Sequence, residues 1–359
     1  MYAKAIKTIH LEMTDKCNAS CPQCARNILG GQTNPHLPLT ELTLQDVRTI
    51  IPVEKVKDLD RLYMCGNYGD PIMARDTLEV FKYLRLNNPR IKLSINTNGS
   101  ARDVSWWKEL GETIGKVGNV KLGIDGLENT HEIYRRGTDF NKIIANAKAL
   151  IETGVEVQWE YLVFKHNEHQ IDLARSLAKE LGFSKFTLKK TGRFFSNQTM
   201  VSNNKQEVFD KNGTLEYFLE KPTISEYQNN SLKIEAELIQ AYGSMSKYFD
   251  QTPIDCKVID EGSIYISAEG LIFPCCWTAL QLYAWYSDPK QSQITILLNK
   301  YGGKSIIDGK KNSFDNIINS EFFMAIQKSW SCSGIDSGKL KVCAKTCGKK
   351  FDQFKDQYL

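Results

Sequence analysis

No run of about 18 consecutive apolar residues occurs anywhere in this 359-residue chain, which argues against a membrane-spanning helix. Nor does one charge dominate. The 46 Lys and Arg are set against 42 Asp and Glu, a formal net charge of +4, too even for a nucleic-acid footprint. With only 10 Pro and 24 Gly beside 42% hydrophobic residues, the composition is that of a globular chain, not a disordered one. Met1-Tyr2-Ala3-Lys4-Ala5-Ile6-Lys7 has neither the apolar core nor the small-residue cleavage site of a secretory signal. The expected location is therefore the cytoplasm. No period of 20–50 residues repeats, so a solenoid is not supported.

What is present is cysteine, at 17, 21, 24, 65, 256, 275, 276, 332, 343 and 347. In a reducing compartment ten cysteines point to metal-binding or catalytic thiolates before disulfides. All but Cys65 fall in an early triplet or in the last third of the chain.

Up to about residue 191, β-rich runs alternate with helical patterns. Strands are expected at Thr8–Glu12, Arg61–Cys65, Lys92–Asn96, Val120–Ile124, Glu156–Phe164 and Lys185–Lys189. Helices are expected at Leu44–Ile51, Asp76–Leu86, Ser105–Ile114, Asn141–Glu152 and His169–Leu181, with capping residues at Thr43 and Asp103 and closing glycines at Gly154 and Gly182. Strand–helix units of about 30 residues imply parallel strands joined by right-handed crossovers. Six of them predict an α/β fold, a partial (β/α)6 TIM-like barrel with reactive groups at the carboxyl ends of the strands; an open doubly wound sheet is the alternative. Residues 192–250 turn polar and amide-rich (Ser202-Asn203-Asn204-Lys205-Gln206, Gln228-Asn229-Asn230-Ser231), with a helix over Leu232–Phe249, and read as a connector or lid. Residues 251–359 read as a smaller α+β cysteine-rich domain, with a hairpin of Ser263–Ser267 and Leu271–Pro274 turning at Ala268-Glu269-Gly270.

Directly after the first strand stands Cys17-Asn18-Ala19-Ser20-Cys21-Pro22-Gln23-Cys24. Three thiolates so close can hold three corners of a [4Fe–4S] cube and leave one iron open. A zinc site would want a fourth Cys or His, for which His36 is the local candidate. Three inert buried thiols are the blandest reading. The triplet, placed in a βα repeat, resembles the signature of the radical S-adenosylmethionine (radical SAM) superfamily.

The resemblance extends along the strand ends. Cys65-Gly66-Asn67-Tyr68-Gly69-Asp70-Pro71 is similar to the segment that holds the methionyl amino group, with Asp70 in place of a glutamate. Asn96-Thr97-Asn98-Gly99 is similar to the polar edge that reaches the ribose or methionyl end; which of its side chains points inward depends on register. The fourth strand ends in Gly123-Ile124-Asp125-Gly126, with glycine at 123 where a serine often stands. Then comes His131-Glu132-Ile133-Tyr134-Arg135-Arg136-Gly137, where Arg135 or Arg136 is implied to pair with the methionyl carboxylate. The residue before the third cysteine, usually aromatic, is Gln23, so adenine contact is expected from elsewhere, with Tyr68 as candidate. Cofactor-binding residues implied by the resemblance are thus Gly66, Asn67, Tyr68, Gly69, Asp70, Asn96, Thr97, Asn98, Asp125, Arg135 and Arg136.

Cys256-x13-Gly270-x4-Cys275 with Cys343-x3-Cys347 resembles the SPASM/Twitch extension of radical SAM maturases. It implies one auxiliary [4Fe–4S] cluster on Cys256, Cys275, Cys343 and Cys347, with Cys332 as substitute ligand; a zinc-stabilised tail is the alternative. Cys276 is expected to point away from the cluster, as packing residue or free thiol. Cys65 could donate a hydrogen atom to a substrate radical or be a small hydrophobe. His166 and His169 are candidates for acid–base work, and Lys189 and Lys190 for an anionic substrate group.

The function implied is reductive cleavage of SAM at a [4Fe–4S] cluster and hydrogen abstraction from a peptide, for epimerisation, crosslinking or oxidation. A small metabolite such as a sugar alcohol is the alternative substrate, and a non-catalytic iron–sulfur or zinc scaffold the alternative class. A reductant such as flavodoxin or ferredoxin is the implied partner; no membrane or nucleic acid is indicated.

Overall fold

In a computed structural model, residues 6–194, 204–351 and 357–359 are described. The expectations for residues 1–5 and for Ser202-Asn203 lie outside them.

Six parallel strands run in sequence order: β1 Thr8–Leu11, β2 Arg61–Cys65, β3 Lys92–Thr97, β4 Asn119–Gly123, β5 Glu156–Leu162 and β6 Lys185–Lys189. Each is set by alternation. Ile9, Leu11, Leu62, Met64, Leu93, Ile95, Val120, Leu122, Val157 and Trp159 are almost wholly buried. The residues between them, His10, Tyr63, Cys65, Ser94, Asn96, Lys121, Gln158, Glu160, Thr187 and Lys189, therefore share the opposite, concave face. Crossover helices pack on the apolar face. In Val104–Ile114 the buried residues Trp107, Leu110, Gly111 and Ile114 follow helical spacing, and Asp103 caps the amino end by accepting from the Trp106 N–H. This is the partial (β/α)6 barrel expected from the sequence.

The sheet does not stop at β1. Strand β9, Ser263–Ile266, pairs in parallel with β1, and β10, Ile272–Phe273, pairs antiparallel with β9, giving eight strands in the order β10-β9-β1-β2-β3-β4-β5-β6. The cysteine-rich segment is thereby anchored to the barrel through main-chain hydrogen bonds. The connector also differs from expectation. It holds a hairpin, β7 Lys205–Phe209 and β8 Leu215–Glu220, and its helix is broken into Ser231–Tyr242 and Met245–Gln251. The break has a local cause: Gly243 adopts the left-handed φ of +84° that ends one helix, and the Ser244 side chain caps the next.

Candidate functional site

The loop after β1 carries the cysteine triplet. Cys24 N–H donates to the Cys21 carbonyl (3.1 Å), Asn27 N–H to that of Cys24 (3.0 Å), and Ala19 N–H to the Cys17 sulfur (3.3 Å), so the loop winds back on itself. Cys21 is buried and Cys17 and Cys24 half-buried, in one apolar cluster with Tyr134, Phe164, Phe194, Val208 and Leu219. Burial pushes the Cys21 thiol up to about 12 and those of Cys17 and Cys24 upward as well; Cys21 and Cys24 add to the rise at Cys17, and Cys24 to that at Cys21. Such thiols become thiolates when a metal supplies the compensating positive charge. Among the described residues no group of three or more Cys, His, Asp or Glu side chains is already drawn together to hold a metal ion. Three thiols in one dry cluster fit the separate irons of a cube.

Val208 and Leu219 of the β7–β8 hairpin form part of that wall. The hairpin is tied down by Gln23: its side-chain oxygen accepts from Thr191 Oγ1 (2.7 Å), its amide donates to Gln206 (3.3 Å), and Gln206 donates to the Pro22 carbonyl (2.9 Å). Where an aromatic was to be expected, an amide ladder holds the hairpin instead. Aromatic surface near the cysteines comes from Tyr134 and Phe164, with ring centroids 4.6 Å apart. Tyr68 donates its hydroxyl to the Leu280 carbonyl (3.2 Å) and sets its ring against Tyr283, within electrostatic reach of Cys24.

At the strand ends the implied cofactor residues separate into two groups. Asp70 is buried, with Oδ1 accepting from Thr97 Oγ1 (2.7 Å) and Ile72 N–H (3.2 Å) and Oδ2 from Asn98 N–H (2.7 Å). Its carboxylate stitches the end of β2 to the end of β3, with no oxygen left without a partner. Asn98 bonds to Asn18 (2.9 Å) and approaches the Cys17 sulfur (3.8 Å). Asn96 is the one on the concave face, its amide 3.6 Å from the Cys65 sulfur. Gly66 and Gly69 have no room for a β-carbon, which would strike the Gly69 and Thr14 carbonyls respectively. Asn67 reaches Glu12 at 3.5 Å.

Of the two arginines, Arg136 binds the Gly30 (3.0 Å) and Phe209 (2.7 Å) carbonyls and pairs with Glu216, so it clamps the cysteine loop to the hairpin. Arg135 is the one beside Cys21. Its Nε donates to Asp125 Oδ2 (2.6 Å), while Asp125 Oδ1 accepts from Leu162 N–H (2.6 Å). Asp125 therefore orients the arginine and has no oxygen directed to a ligand. His166 is half-buried and stacks on Phe164, its buried Nε2 without a hydrogen-bond partner and its pKa lowered to about 4 by desolvation; His169 is exposed.

The sequence reading missed Glu12. This carboxylate is 1% exposed and gathers Tyr68 N–H (2.8 Å), Gly69 N–H (3.2 Å) and the Tyr265 hydroxyl, joining the β2 loop to β9. Burial raises its pKa to about 7. Its place two residues beyond His10, on the concave side of β1, was the available signal. Lys121 and Glu160 were missed as well: Glu160 holds Lys189 at 2.9 Å and Lys121 at 3.7 Å on that face.

A second cysteine group lines a cavity of about 350 Å³: Cys256, Cys275, Cys276, Cys343 and Cys347, with Trp330 among its walls. Cys256 is hydrogen-bonded to Cys347, and the Cys343 thiol is raised by burial and then by Cys275 and Cys347. The buried Trp330 indole N–H makes no hydrogen bond of ordinary geometry, yet lies near enough to Cys343 to lower that thiol's pKa. An orphaned donor aimed at sulfur fits an anionic cluster in this space. Cys332 lies apart, its sulfur 3.9 Å from the Lys328 carbonyl, and is not in the cavity wall. Cys276 feels both Cys275 and, from the barrel, Cys65 and Glu12.

Residues 11–177 match the family model described as "Radical SAM superfamily". Among solved structures, anSMEcpe with bound AdoMet is similar at a TM-score of 0.54 and 14% identity, over 97% of this chain and 91% of that one. anSMEcpe with bound AdoMet and Cp18Cys peptide gives 0.52 and 14%, over 97% and 94%. SuiB of Streptococcus suis gives 0.47 and 16%, over 81% and 68%. At these identities the likeness to the two anSMEcpe structures is one of fold. Among the described residues no helix is long and apolar enough to cross a membrane.

Proposed function

We propose that residues 11–177, which match the radical SAM superfamily model, are the catalytic domain of a peptide-modifying radical SAM enzyme with one auxiliary [4Fe–4S] cluster. The observation that carries the reading is the single dry cluster formed by Cys17, Cys21 and Cys24. When bound, a reduced site-open [4Fe–4S] cluster would supply one electron to the sulfonium of SAM, whose C5′–S bond would break to leave methionine and a 5′-deoxyadenosyl radical able to abstract hydrogen.

This chain's residues hold and aim that chemistry. The three thiolates carry the cube. Arg135, fixed by Asp125, offers its guanidinium to the methionyl carboxylate, and its net positive charge faces Cys21. Glu12 fixes the backbone of Tyr68 and Gly69, the loop assigned to the methionyl amino group. Phe164, Val208 and Leu219 keep water from the cluster. Cys65, on the concave face, is the hydrogen donor if the product is an epimer. Residues 251–359 form the auxiliary-cluster domain, with Cys256, Cys275, Cys343 and Cys347 as ligands. The peptide reading is supported by shared fold with anSMEcpe, which is seen with a bound peptide. A flavodoxin or ferredoxin in the cytoplasm is the proposed reductant.

Anaerobically reconstituted protein given dithionite and SAM should release 5′-deoxyadenosine, and Cys24→Ala should abolish it. A protein with a filled cluster that releases none would favour the scaffold.

A further inference from the structure

The outer edge of β6 is paired with the chain's own segment 357–359. Lys190 N–H donates to the Gln357 carbonyl (2.8 Å), Leu359 N–H donates to the Leu188 carbonyl (3.2 Å), and Lys189 and Tyr358 face each other in an antiparallel bridge. The Lys189 carbonyl points the other way and accepts from Val163 N–H (3.0 Å) beyond the end of β5. Leu188 and Lys190 therefore present outward the alternating acceptor and donor that an added strand requires. Any extended peptide satisfies such groups, because only main chain is read.

The side chain at the centre of the segment gives the specificity. The Tyr358 ring lies over Lys189 Nζ (5.4 Å), and Tyr358 keeps 53% of its surface exposed, so it rests at the mouth without being locked into a core. Beneath it Lys189 and Lys121 share one carboxylate, Glu160. Two ammonium groups on one carboxylate leave an excess positive charge on the concave face, where Cys65 also lies within electrostatic reach of Lys189, Glu12 and Glu160. An aromatic face or an anion above Lys189 answers that excess.

We propose that the outer edge of β6 is the docking strand for an extended peptide substrate, which replaces segment 357–359 and sets an aromatic or acidic residue above Lys189. This rests on the radical SAM reading and names its substrate class. The segment at 357–359 then acts as a stand-in for substrate, competing for the same two main-chain partners.

The test uses the full chain and, as probe, a fluorescein-labelled peptide with the sequence of residues 351–359. Leu359→Pro removes the N–H that bonds to Leu188. In this variant, exchange of the Lys190 amide should accelerate at least tenfold, and added probe should restore its protection. The probe should bind Leu359→Pro at least tenfold more tightly than the parent chain, and Lys189→Gln introduced into Leu359→Pro should weaken that binding. Equal binding to both chains, no binding to Leu359→Pro, or binding without protection of Lys190 overturns the docking edge. 5′-Deoxyadenosine is assayed in parallel without probe. Its absence beside a protected Lys190 sinks the radical SAM reading alone; its presence beside an unprotected Lys190 sinks the docking edge alone.

Discussion

Arg135 lies across Gly123, so closely that a β-carbon on that glycine would collide with the guanidinium. The glycine at the end of β4 is what lets the arginine reach Asp125 while remaining beside Cys21. Gly123→Ala is therefore expected to displace Arg135 and weaken SAM binding about tenfold, a loss on the order of 1.4 kcal/mol. Asp125→Ala should also destabilise the fold, because it removes the buried carboxylate that holds the half-buried Arg135 and leaves the Leu162 N–H without its acceptor, at about 1–3 kcal/mol of stability. Equilibrium dialysis with SAM and urea denaturation check the two. Unchanged SAM affinity in Gly123→Ala would remove the arginine from the site.

Stability should depend on pH with two opposed slopes. Burial lowers His10 and His166 to about 4 and His131 to about 3, so the unfolded chain binds more protons than the folded one below the ordinary histidine value of 6.5. Stability is thus lost as pH falls from 6.5 through these values. Glu12 acts in the other sense. Its folded pKa of about 7 lies above the ordinary 4.5, so stability falls as pH rises from 4.5 through 7, by about 3 kcal/mol on the scale of 1.4 per unit. Glu12→Gln should flatten that second slope in denaturation curves taken from pH 5 to 8, and leave the acid limb in place.

Iron content separates the thiols by role. The parent chain should carry about eight irons, as two four-iron clusters require. Cys347→Ala should fall to about four, whereas Cys332→Ala and Cys276→Ala should keep the full complement. Trp330→Phe should keep the iron and shift the reduction potential of the auxiliary cluster downward, since an N–H aimed at sulfur favours the more negative state. A parent chain with about four irons and an invisible tail metal would point to zinc.

Core truncation gives a scale for these effects. Ile95 is fully buried between β3 and the crossover helices, so Ile95→Ala should cost about 2–5 kcal/mol by thermal or urea unfolding, with SAM affinity per folded molecule unchanged.

Much of this was legible along the chain. Strands β1 to β6 could be read because alternation is a local property, and their helices because caps such as Thr43 and Asp103 act within three residues. The cysteine triplet announces itself by spacing. What could not be read are relationships between distant segments. The β7–β8 hairpin was hidden because Gln206, a buried position of β7, is polar, and its partners Gln23 and Pro22 lie more than 180 residues away. Glu12 looks like an ordinary strand-end charge until Tyr68 and Tyr265, 56 and 253 residues on, close around it. Choosing Arg135 over Arg136 needed the same long-range information. The chain's local chemistry settled which elements form and which thiols are near neighbours. Only tertiary packing decided which polar groups lose water and find a partner, and burial with partnership is what turns a side chain into part of a site.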